Sequence, residues 1–408
     1  WLTGIVVVAA KVVFAIAQSV QPAAAASRPV STTPVAETSP ATPLSTQAHA
    51  ALWAGSAAVT AVAVAVIAAQ VISPSPLGRT APLTVAGPGD HREIALAVDG
   101  NGRAFVAWSD LQAGSFVRTI RHQTGDGWSD PVNLSEGFVN TSGLMLRASP
   151  DGRVCAFFNG FPKGTSWGTT WGLYQRCWDG WSWSAPTQLT RIDAELTFLT
   201  TQWSPAFGPD GRVHTAWGTP PGGVGVGRQV LSAGGINGGP NLVTDSDRRL
   251  HLLWYNGSTG NLDHRWSGDG GRTWSQPVGV DRYAAYDIAA DGRGGLHVVF
   301  ASSGVARYHS WSVDTGWSAM TDAIGGTRNF ITYLGIAGFD DGGAAVAWLP
   351  DQTLVISERQ HDGAFGPGVP VAETSGTQVA VAKLAADGDH LHLVWLTGPG
   401  VITHMRLR

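Results

Sequence analysis

The stretches DGNGRAFVAW (residues 99–108), DGRVHTAW (210–217) and DGDHLHLVW (387–395) share one plan. Each begins with an Asp-containing turn, continues with alternating apolar residues and ends in an aromatic residue. Asp-Gly favours the tight turn of a β-hairpin, and alternation is the period of a half-buried strand. Four more copies follow the same plan: DGRVCAFF from residue 151, DSDRRLHLLW from 245, DGRGGLHVVF from 291 and DDGGAAVAW from 340. The unit is therefore repeated seven times.

The spacing of this unit predicts the architecture. Its closing aromatic residues lie at positions 108, 158, 217, 254, 300, 348 and 395. A repeat of about forty to fifty residues suits the four short strands of one β-propeller blade. We therefore predict an all-β, seven-bladed β-propeller over residues 81–408, with six or eight blades as alternatives. Within a blade we name the strands A to D in chain order.

A second motif, a Trp-Ser step that is often followed by Pro, marks the turn between strands C and D. It reads DGWSDP (126–131), DGWSWSAP (179–186), GRTWSQP (271–277) and TGWSAM (315–320). We expect the recurrent tryptophans to pack in the core: Trp108, Trp128, Trp181, Trp217, Trp254, Trp274, Trp317, Trp348 and Trp395. The last unit ends with strand C. Because an open ring would leave a bare sheet edge, residues 81–87 are predicted to supply its outer strand.

The residues before the propeller differ in composition. Residues 1–20 form a hydrophobic segment, either transmembrane or a signal-like remnant, and residues 21–50 form a linker rich in Ala, Pro, Ser and Thr. Residues 51–73 are predicted to form a transmembrane helix, because 51–72 carry no charge and about 20 apolar residues span a bilayer. The few basic residues nearby leave the orientation in the membrane open.

Composition and motifs exclude several functions. The chain has 26 Lys and Arg against 30 Asp and Glu and no basic block, so we expect no nucleic-acid partner. Two cysteines cannot form a four-thiolate zinc site, and no HExxH, GxSxG or P-loop pattern occurs. Four histidines recur three residues before the closing aromatic residue: His214, His251, His297 and His392. Equivalent positions around a ring cannot converge on one ion, so we predict packing roles, no metal and no cofactor.

One turn resembles a known family. The residues Ser267, Asp269, Gly271, Thr273 and Trp274 match the pattern S-x-D-x-G-x-T-W. On this motif the sequence from about residue 82 onward resembles the sialidase-like (BNR or Asp-box repeat) propellers. The resemblance implies that the Asp caps its own turn and that the Trp packs between blades. These five residues are therefore expected to stabilise the fold, on the face opposite the B–C and D–A loops.

The resemblance does not extend to the catalytic pattern. An active sialidase would need an arginine triad for the substrate carboxylate, a Tyr–Glu nucleophile pair and an Asp as acid and base. The early Phe-Arg-Ile-Pro motif is absent before Asp99. We therefore favour a non-catalytic protein and keep an exo-α-sialidase-type glycoside hydrolase as the alternative enzyme class.

The B–C and D–A loops carry aromatic residues that could stack on sugar rings, with charged residues nearby that could bind hydroxyl groups. The ligand-binding residues predicted from these loops are Asp110, Trp167, Trp171, Glu195, Trp203, Tyr255, Arg282 and Tyr283. As alternatives, Trp171 begins strand C and Trp203 belongs to strand A, and both pack inside.

Cys155 and Cys177 lie opposite each other in the predicted B–C hairpin of the second unit, within reach of a disulfide. Free buried thiols are the alternative. A disulfide would favour an oxidising compartment. The sequence thus predicts a membrane-anchored, extracytoplasmic propeller that binds a glycan or another surface ligand. A scaffold or sensor domain of a larger membrane protein is the other alternative.

Overall fold

The computed structural model describes residues 78–112, 115–165, 171–191, 202–219, 223–232, 239–282, 286–302, 305–324, 333–350, 352–360 and 363–407. Within these ranges no helix is long and apolar enough to cross a membrane. The predicted hydrophobic segments 1–20 and 51–73 and the linker 21–50 lie outside the described residues, so they stay predictions.

Short extended segments with alternating burial build the first blades. β1 (Leu83–Ala86) precedes them along the chain. Blade 1 contains β2 (His91–Val98), β3 (Ala104–Gln112), β4 (Ser115–Thr124), β5 (Gly127–Trp128) and β6 (Val132–Asn133). Blade 2 contains β7 (Phe138–Ala148), β8 (Val154–Pro162), β9 (Gly172–Cys177) and β10 (Thr187–Arg191). Blade 3 contains β11 (Gln202–Phe207), β12 (Val213–Thr219), β13 (Gly223–Val226) and β14 (Gln229–Ser232).

The remaining blades follow the same order. Blade 4 contains β15 (Asn241–Thr244), β16 (Leu250–Asn256), β17 (Asn261–Ser267) and β18 (Val278–Asp281). Blade 5 contains β19 (Tyr286–Ala290), β20 (Leu296–Ser302), β21 (Val305–Ser312), β22 (Gly316–Trp317) and β23 (Thr321–Ile324). Blade 6 contains β24 (Leu334–Gly338), β25 (Ala344–Trp348), β26 (Val355–Arg359) and β27 (Val369–Pro370), followed by a 3-10 turn, Ala372–Thr374. Blade 7 contains β28 (Val379–Asp387), β29 (His390–Thr397) and β30 (Ile402–Leu407).

The ring closes through its first strand. β1 pairs antiparallel with β30, with Leu83 opposite His404, so the N-terminal strand completes the sheet of blade 7. Arg121 of blade 1 also donates from Nη1 to the carbonyl oxygen of Val85 at 2.6 Å. The predictions of seven blades and of an outer strand from residues 81–87 are both confirmed.

Apolar side chains from neighbouring sheets form the core between blades. Among the described residues each of the seven blade interfaces has its own buried cluster. Trp108 of blade 1 packs with Val394 of blade 7, for example, and Trp254 of blade 4 packs with Ala216 of blade 3. The strand that opens each sheet lies innermost, and its hydrophobic residues alternate between these clusters.

Two faces of the ring follow from the strand order. The A–B and C–D turns lie on one face, which we call the lower face, and the B–C and D–A loops lie on the upper face. The A–B turns are built around an aspartate, as in blade 5, where Asp291 Oδ1 accepts from the backbone amides of Arg293 and Gly295 at 2.7 and 2.8 Å. The Asp-containing turns therefore stabilise the lower face.

The C–D turn of blade 2 corrects one prediction. Trp181 is 91% exposed rather than part of the core, and Trp183 takes the inward position against Phe105. The reason is the register of the turn. The backbone amide of Ser184, the serine of the second Trp-Ser step, donates to the Cys177 carbonyl oxygen, as the amide of Ser129 donates to that of His122 in blade 1. The motif DGWSWSAP offers two such steps, and the structure uses the second.

The Ser267–Trp274 turn of blade 4 is held by the carboxylate of Asp269. That carboxylate accepts from the amide and hydroxyl of Thr273 at 2.9 and 2.7 Å, from the Arg272 amide at 3.0 Å and from the Ser267 hydroxyl at 2.8 Å. These bonds, first those of the Thr273 amide, lower the pKa of Asp269 to about 2. Trp274 is half-buried against the cluster between blades 3 and 4 and donates to the Gly271 carbonyl oxygen.

One position of strand B, three residues before the closing aromatic residue, takes part in different cross-strand pairs in different blades. Blade 2 has a disulfide between Cys155 and Cys177, which face each other in register. The buried histidine of strand B in blade 7, His392, bonds His404 at 3.0 Å between Nδ1 and Nε2. Blade 4 has the corresponding His251–His264 pair at 3.1 Å. These histidines bridge strands within their own blades. No group of three metal-binding side chains occurs among the described residues.

Candidate functional site

A cavity of about 530 Å³ lies on the axis of the ring. Residues of all seven inner strands, β2, β7, β11, β15, β19, β24 and β28, line it. Much of the wall consists of small residues, among them Ala95, Ala289, Ala337 and Ala385. Small side chains at the narrowest part of a propeller leave room on the axis, so the few large polar side chains there determine what the cavity can bind.

Four ionisable side chains reach this cavity from four different blades. Arg147 comes from blade 2, Asp287 from blade 5, Tyr333 from the residue before β24 in blade 6, and Lys383 from blade 7. Trp203 and Asn241, near the upper ends of β11 and β15, complete the polar and aromatic part of the wall. An aromatic ring, an amide, a carboxylate and two cations in one cavity form a set that can bind a polyhydroxylated ligand.

Asp287 is the carboxylate of this set. Its Oδ2 accepts a hydrogen bond from the backbone amide of Ile336 at 3.1 Å, which links blades 5 and 6 at the cavity wall. Burial raises the pKa of Asp287 above its usual value, although Lys383 and Arg147 act in the opposite direction. Desolvation therefore outweighs the two nearby cations. A carboxyl group with a raised pKa in a polar cavity is a typical feature of a binding or reactive site.

Tyr333 lies close to that carboxylate. Burial, and next the charge of Asp287, hold the pKa of the Tyr333 phenol well above its ordinary value. The hydroxyl therefore stays protonated and can donate a hydrogen bond. The absence of a side chain at Gly335 leaves the space that the hydroxyl occupies, since a Cβ there would collide with the phenol oxygen.

The two cations differ in how they are held. Arg147 Nε donates to the Pro205 carbonyl oxygen at 3.1 Å, and its Nη1 donates to the Leu146 carbonyl oxygen at 3.0 Å. Burial lowers the pKa of Arg147, and Asp287 opposes that change. Lys383 is exposed on the middle of β28 and has no ion pair within 4.0 Å among the described residues. Its ammonium group is thus available to a ligand.

The structure brings one of the described predicted ligand-binding residues to this cavity. Trp203 is half-buried in β11, lines the cavity and also packs against the cluster between blades 2 and 3. Trp203 therefore lines a cavity, as the binding prediction required, and also lies in strand A, as the alternative stated. The residues Trp167, Glu195 and Tyr283 lie outside the described residues, so nothing is added to their predictions.

The other predicted residues lie away from the axial cavity. Asp110 bonds His91 Nδ1 and accepts from the Thr119 hydroxyl at 2.8 Å at the upper end of blade 1. Trp171 is half-buried just before β9, with its ring 5.8 Å from that of Phe161. Tyr255 is half-buried in β16. Arg282 is exposed, and its amide donates to the Asp281 carboxylate.

A second polar cluster joins the upper ends of blades 1 and 2. Arg118 is only 2% exposed, and its Nη1 lies 2.7 Å from Glu93 Oε2, while Nη2 donates to the Thr141 carbonyl oxygen at 2.6 Å. The Ser109 hydroxyl donates to the same Glu93 oxygen at 2.8 Å. This cluster lies outside the axial cavity and ties two neighbouring blades together.

The axial residues carry no recognisable motif in the sequence. Arg147 and Asp287 lie in LMLRA and YDIAA, which read as ordinary strand A segments. The available signal was a charge on strand A at a position where the other units have small residues. Arg147 fits that description, Lys383 and Asp287 share a different register position of strand A, and Tyr333 stands before its strand.

The sequence matches no protein-family model and no curated protein. Its fold is similar to several solved structures. They include the NanB sialidase from Streptococcus pneumoniae, with 13% identity, TM-score 0.43 and coverage of 81% of this chain and 70% of that one. The α-L-arabinanase of Penicillium chrysogenum has 13% identity, TM-score 0.47 and coverage of 81% and 98%. The aldose sugar dehydrogenase of Streptomyces coelicolor has 16% identity, TM-score 0.45 and coverage of 82% and 99%. The chain shares a propeller fold with these proteins, and at these identities the likeness is one of fold alone.

Proposed function

We propose that this protein is a non-catalytic, carbohydrate-binding β-propeller of the sialidase-like (BNR or Asp-box) type, with its ligand site in the axial cavity. The observation that carries the proposal is the convergence of Arg147, Asp287, Tyr333 and Lys383 with the indole of Trp203 on one cavity. The family assignment rests on the Ser267–Trp274 turn and its Asp269-centred hydrogen bonds.

The chemistry of the wall suits a sugar. The Trp203 side chain offers an aromatic surface to the C–H groups of a sugar ring, and the Tyr333 hydroxyl and Lys383 ammonium donate hydrogen bonds to ring hydroxyls. Asp287 accepts from hydroxyls when it is ionised. Bidentate contact with a carboxylate and aromatic stacking are common ways to hold a sugar in a concave site.

The absence of a second carboxylate favours binding over hydrolysis. Glycoside hydrolysis by the usual mechanism needs two carboxyl groups, about 5 to 9.5 Å apart. Among the described residues that line the cavity, Asp287 is the one carboxylate. One carboxyl group cannot supply both the acid and the nucleophile or base of that two-carboxyl mechanism.

Anchoring to a membrane and an extracytoplasmic position form part of the proposal. The uncharged run of residues 51–72 supports a membrane-spanning anchor. The disulfide between Cys155 and Cys177 supports an oxidising compartment outside the membrane. A glycan on a neighbouring surface would then be the partner.

Binding is tested on a glycan array and by calorimetry with the purified 408-residue chain, kept in a detergent without sugar groups. We expect a ligand whose affinity falls roughly tenfold or more in Lys383→Ala and Tyr333→Phe, since each loses one hydrogen bond to the sugar. The matched control is Lys163→Ala, an exposed lysine of the blade 2 B–C loop. Equal affinity in all three variants would refute the axial site.

Catalysis is tested with a fluorogenic sialoside. Turnover that disappears in Asp287→Asn would overturn the non-catalytic assignment and favour the exo-sialidase-type hydrolase. No turnover and no glycan binding at all would leave the scaffold or sensor role as the better explanation.

A further inference from the structure

A second cavity, of about 630 Å³, adjoins the lower end of the axial cavity. We call the two cavities together the axial channel. Its wall combines the lower ends of inner strands with the A–B turns of blades 2, 4, 5 and 6. Two arginines line it, Arg147 from the end of β7 and Arg248 from the A–B turn of blade 4. Arg147 lines both this lower cavity and the axial cavity of the proposed sugar site, whereas Arg248 lines the lower cavity only.

Arg248 occupies an unusual backbone conformation. Its φ is +64°, in the left-handed region that costs a residue with a Cβ about 1–2 kcal/mol. Five other A–B turns place glycine at this position, with φ between +73° and +83°: Gly102, Gly152, Gly211, Gly294 and Gly342. The A–B turn of blade 7 is one residue shorter. In blade 4 the turn DSDRRL therefore keeps an arginine where the repeat otherwise has the residue that fits without strain. A strained residue beside a cavity points to a function for its side chain.

Three carboxylates share this wall with the two guanidinium groups, and two of the three are held by hydrogen bonds within their own blades. Asp245 pairs with Arg249 and His251, and Asp291 pairs with His297. Asp340 is the remaining carboxylate of this lining, and it makes no ion pair among the described residues. The wall thus holds two guanidinium groups and three carboxylates, and the oxygens of Asp245 and Asp291 are already engaged by their own partners.

The hydrogen bonds of the two arginines leave donors for a ligand. Among the described residues Arg248 makes one side-chain hydrogen bond, from Nη1 to the Pro209 carbonyl oxygen at 3.3 Å. The hydrogen bonds of Arg147 come from Nε and Nη1, both to backbone carbonyl oxygens. A guanidinium presents five N–H donors, and its planar fork matches the oxygens of phosphate or sulfate. The hydroxyl of Ser246, in the same wall, can add a further donor.

We propose that Arg147 and Arg248 bind a phosphate-class oxyanion at the lower mouth of the axial channel. The ligand is inorganic phosphate or the phosphate group of a small organic monoester, since the chemistry of recognition is the same for both. Binding of the oxyanion by the Arg248 side chain would account for an arginine in blade 4 where five other A–B turns have glycine.

The test uses Arg248→Gly, a variant that gives blade 4 the residue of the other turns and therefore folds. The matched control is Arg212→Gly in the A–B turn of blade 3, where the side chain is 85% exposed and lies outside both cavities. Thermal unfolding and calorimetry of the purified 408-residue chain are measured with inorganic phosphate, with glycerol phosphate and with chloride at equal ionic strength.

We expect phosphate, but not chloride, to raise the melting temperature of the wild type and of Arg212→Gly in a saturable way. Arg248→Gly should bind phosphate roughly tenfold to a hundredfold more weakly, as expected for loss of a charge-assisted hydrogen bond. Its melting temperature without phosphate should equal or exceed that of the wild type, because the backbone strain is relieved.

The proposal is overturned if Arg248→Gly responds to phosphate as the wild type does, if chloride acts like phosphate, or if the wild type binds neither ligand. Tighter binding of glycerol phosphate than of phosphate would assign the site to an organic monoester, and equal binding would assign it to free phosphate. Arg248 lines the lower cavity and not the axial one, so these outcomes do not decide sugar binding, which Lys383→Ala and Tyr333→Phe test.

Discussion

The buried pair His392–His404 in blade 7 should make the protein sensitive to mild acid. Both rings are almost completely buried, at 0% and 1% exposure, and they bond each other at 3.0 Å. Burial lowers the pKa of His392 to about 3 and that of His404 to about 4, with Arg406 acting in the same direction on both. The pair is therefore neutral in the folded protein throughout the physiological range.

The sign of the effect follows from the protons bound in each state. An unfolded histidine has a pKa of about 6.5, so between pH 6.5 and about 4 the unfolded chain binds two protons that the folded pair does not. The free energy of unfolding therefore falls as pH decreases through this window. Each histidine contributes about 2 kcal/mol on going from pH 7.5 to 5, so the pair contributes about 4 kcal/mol. The slope approaches about 2.7 kcal/mol per pH unit.

The assay is urea unfolding of the 408-residue chain at a series of pH values from 7.5 to 4.5. The wild type is compared with a double variant, His392→Gln with His404→Gln, which cannot take up these two protons. The matched control is His390→Gln, an adjacent histidine whose side chain is 39% exposed. We expect the double variant to be less stable at pH 7.5 but to lose about 4 kcal/mol less than the wild type and the control between pH 7.5 and pH 5.

Other buried histidines act in the same direction, so the comparison of slopes rather than the wild-type curve alone is decisive. His251 and His264 in blade 4 also have pKa values below the ordinary one, chiefly because of burial. They remain in every variant. Equal pH dependence in the wild type and the double variant would refute the reasoning, since the two histidines would then titrate alike in the folded and unfolded chain.

Three further predictions concern stability. Glu93→Ala should lower the free energy of unfolding by about 2 kcal/mol, because the buried guanidinium of Arg118 loses its counter-charge. The loss is moderate because water already shields part of the Glu93 carboxylate. Denaturant unfolding measures this change, and an unchanged midpoint would contradict it. Replacing Cys155 and Cys177 by alanine should cost about 3 kcal/mol by the chain-entropy relation, since the disulfide closes a loop with a sequence separation of 22; reduction of the wild type should give a similar loss in thermal unfolding. Trp183→Ala should lower the free energy of unfolding by about 2 kcal/mol, because it removes core packing. Trp181→Ala should change it by less than about 0.5 kcal/mol in the same denaturant unfolding. The reverse order would mean that Trp181, and not Trp183, packs inward.

The blade repeat is where the sequence was most informative. An Asp-containing turn followed by alternating apolar residues and an aromatic residue is a local pattern, and each copy forms the A–B hairpin of one blade. The same logic predicted the outer strand of blade 7, because a sheet with three of its four strands needs a partner for its edge. The cross-strand placement of Cys155 and Cys177 also follows from hairpin geometry within one blade.

The local sequence pattern could not decide the C–D turn of blade 2, because two arrangements of that turn fit the pattern equally well. The turn DGWSWSAP contains two Trp-Ser steps, and the sequence alone favoured the first. Only the register between β9 and the following segment decides that Trp183 packs inward and that Trp181 is exposed. Both arrangements satisfy the same periodicity, so the choice depends on contacts with Phe105 of the neighbouring blade.

For the candidate site, even more than for this turn, the tertiary structure decided what the sequence could not. Sequence reasoning placed binding on aromatic loops, and of the described candidates it identified Trp203 as a residue of the axial cavity. Arg147, Asp287, Tyr333 and Lys383 belong to four blades that are distant in sequence, and nothing in each local segment marks them as neighbours.

Periodicity and turn chemistry thus determined that this chain forms seven similar sheets, because those features depend on residues a few positions apart. The missing fourth strand of the last sheet then indicated how the ring closes. Which side chains meet on the axis, and which arginine occupies a strained turn at the lower mouth, was decided by the tertiary structure. Ring closure brings seven inner strands together, and burial in that shared space sets the charge states of the groups that converge there.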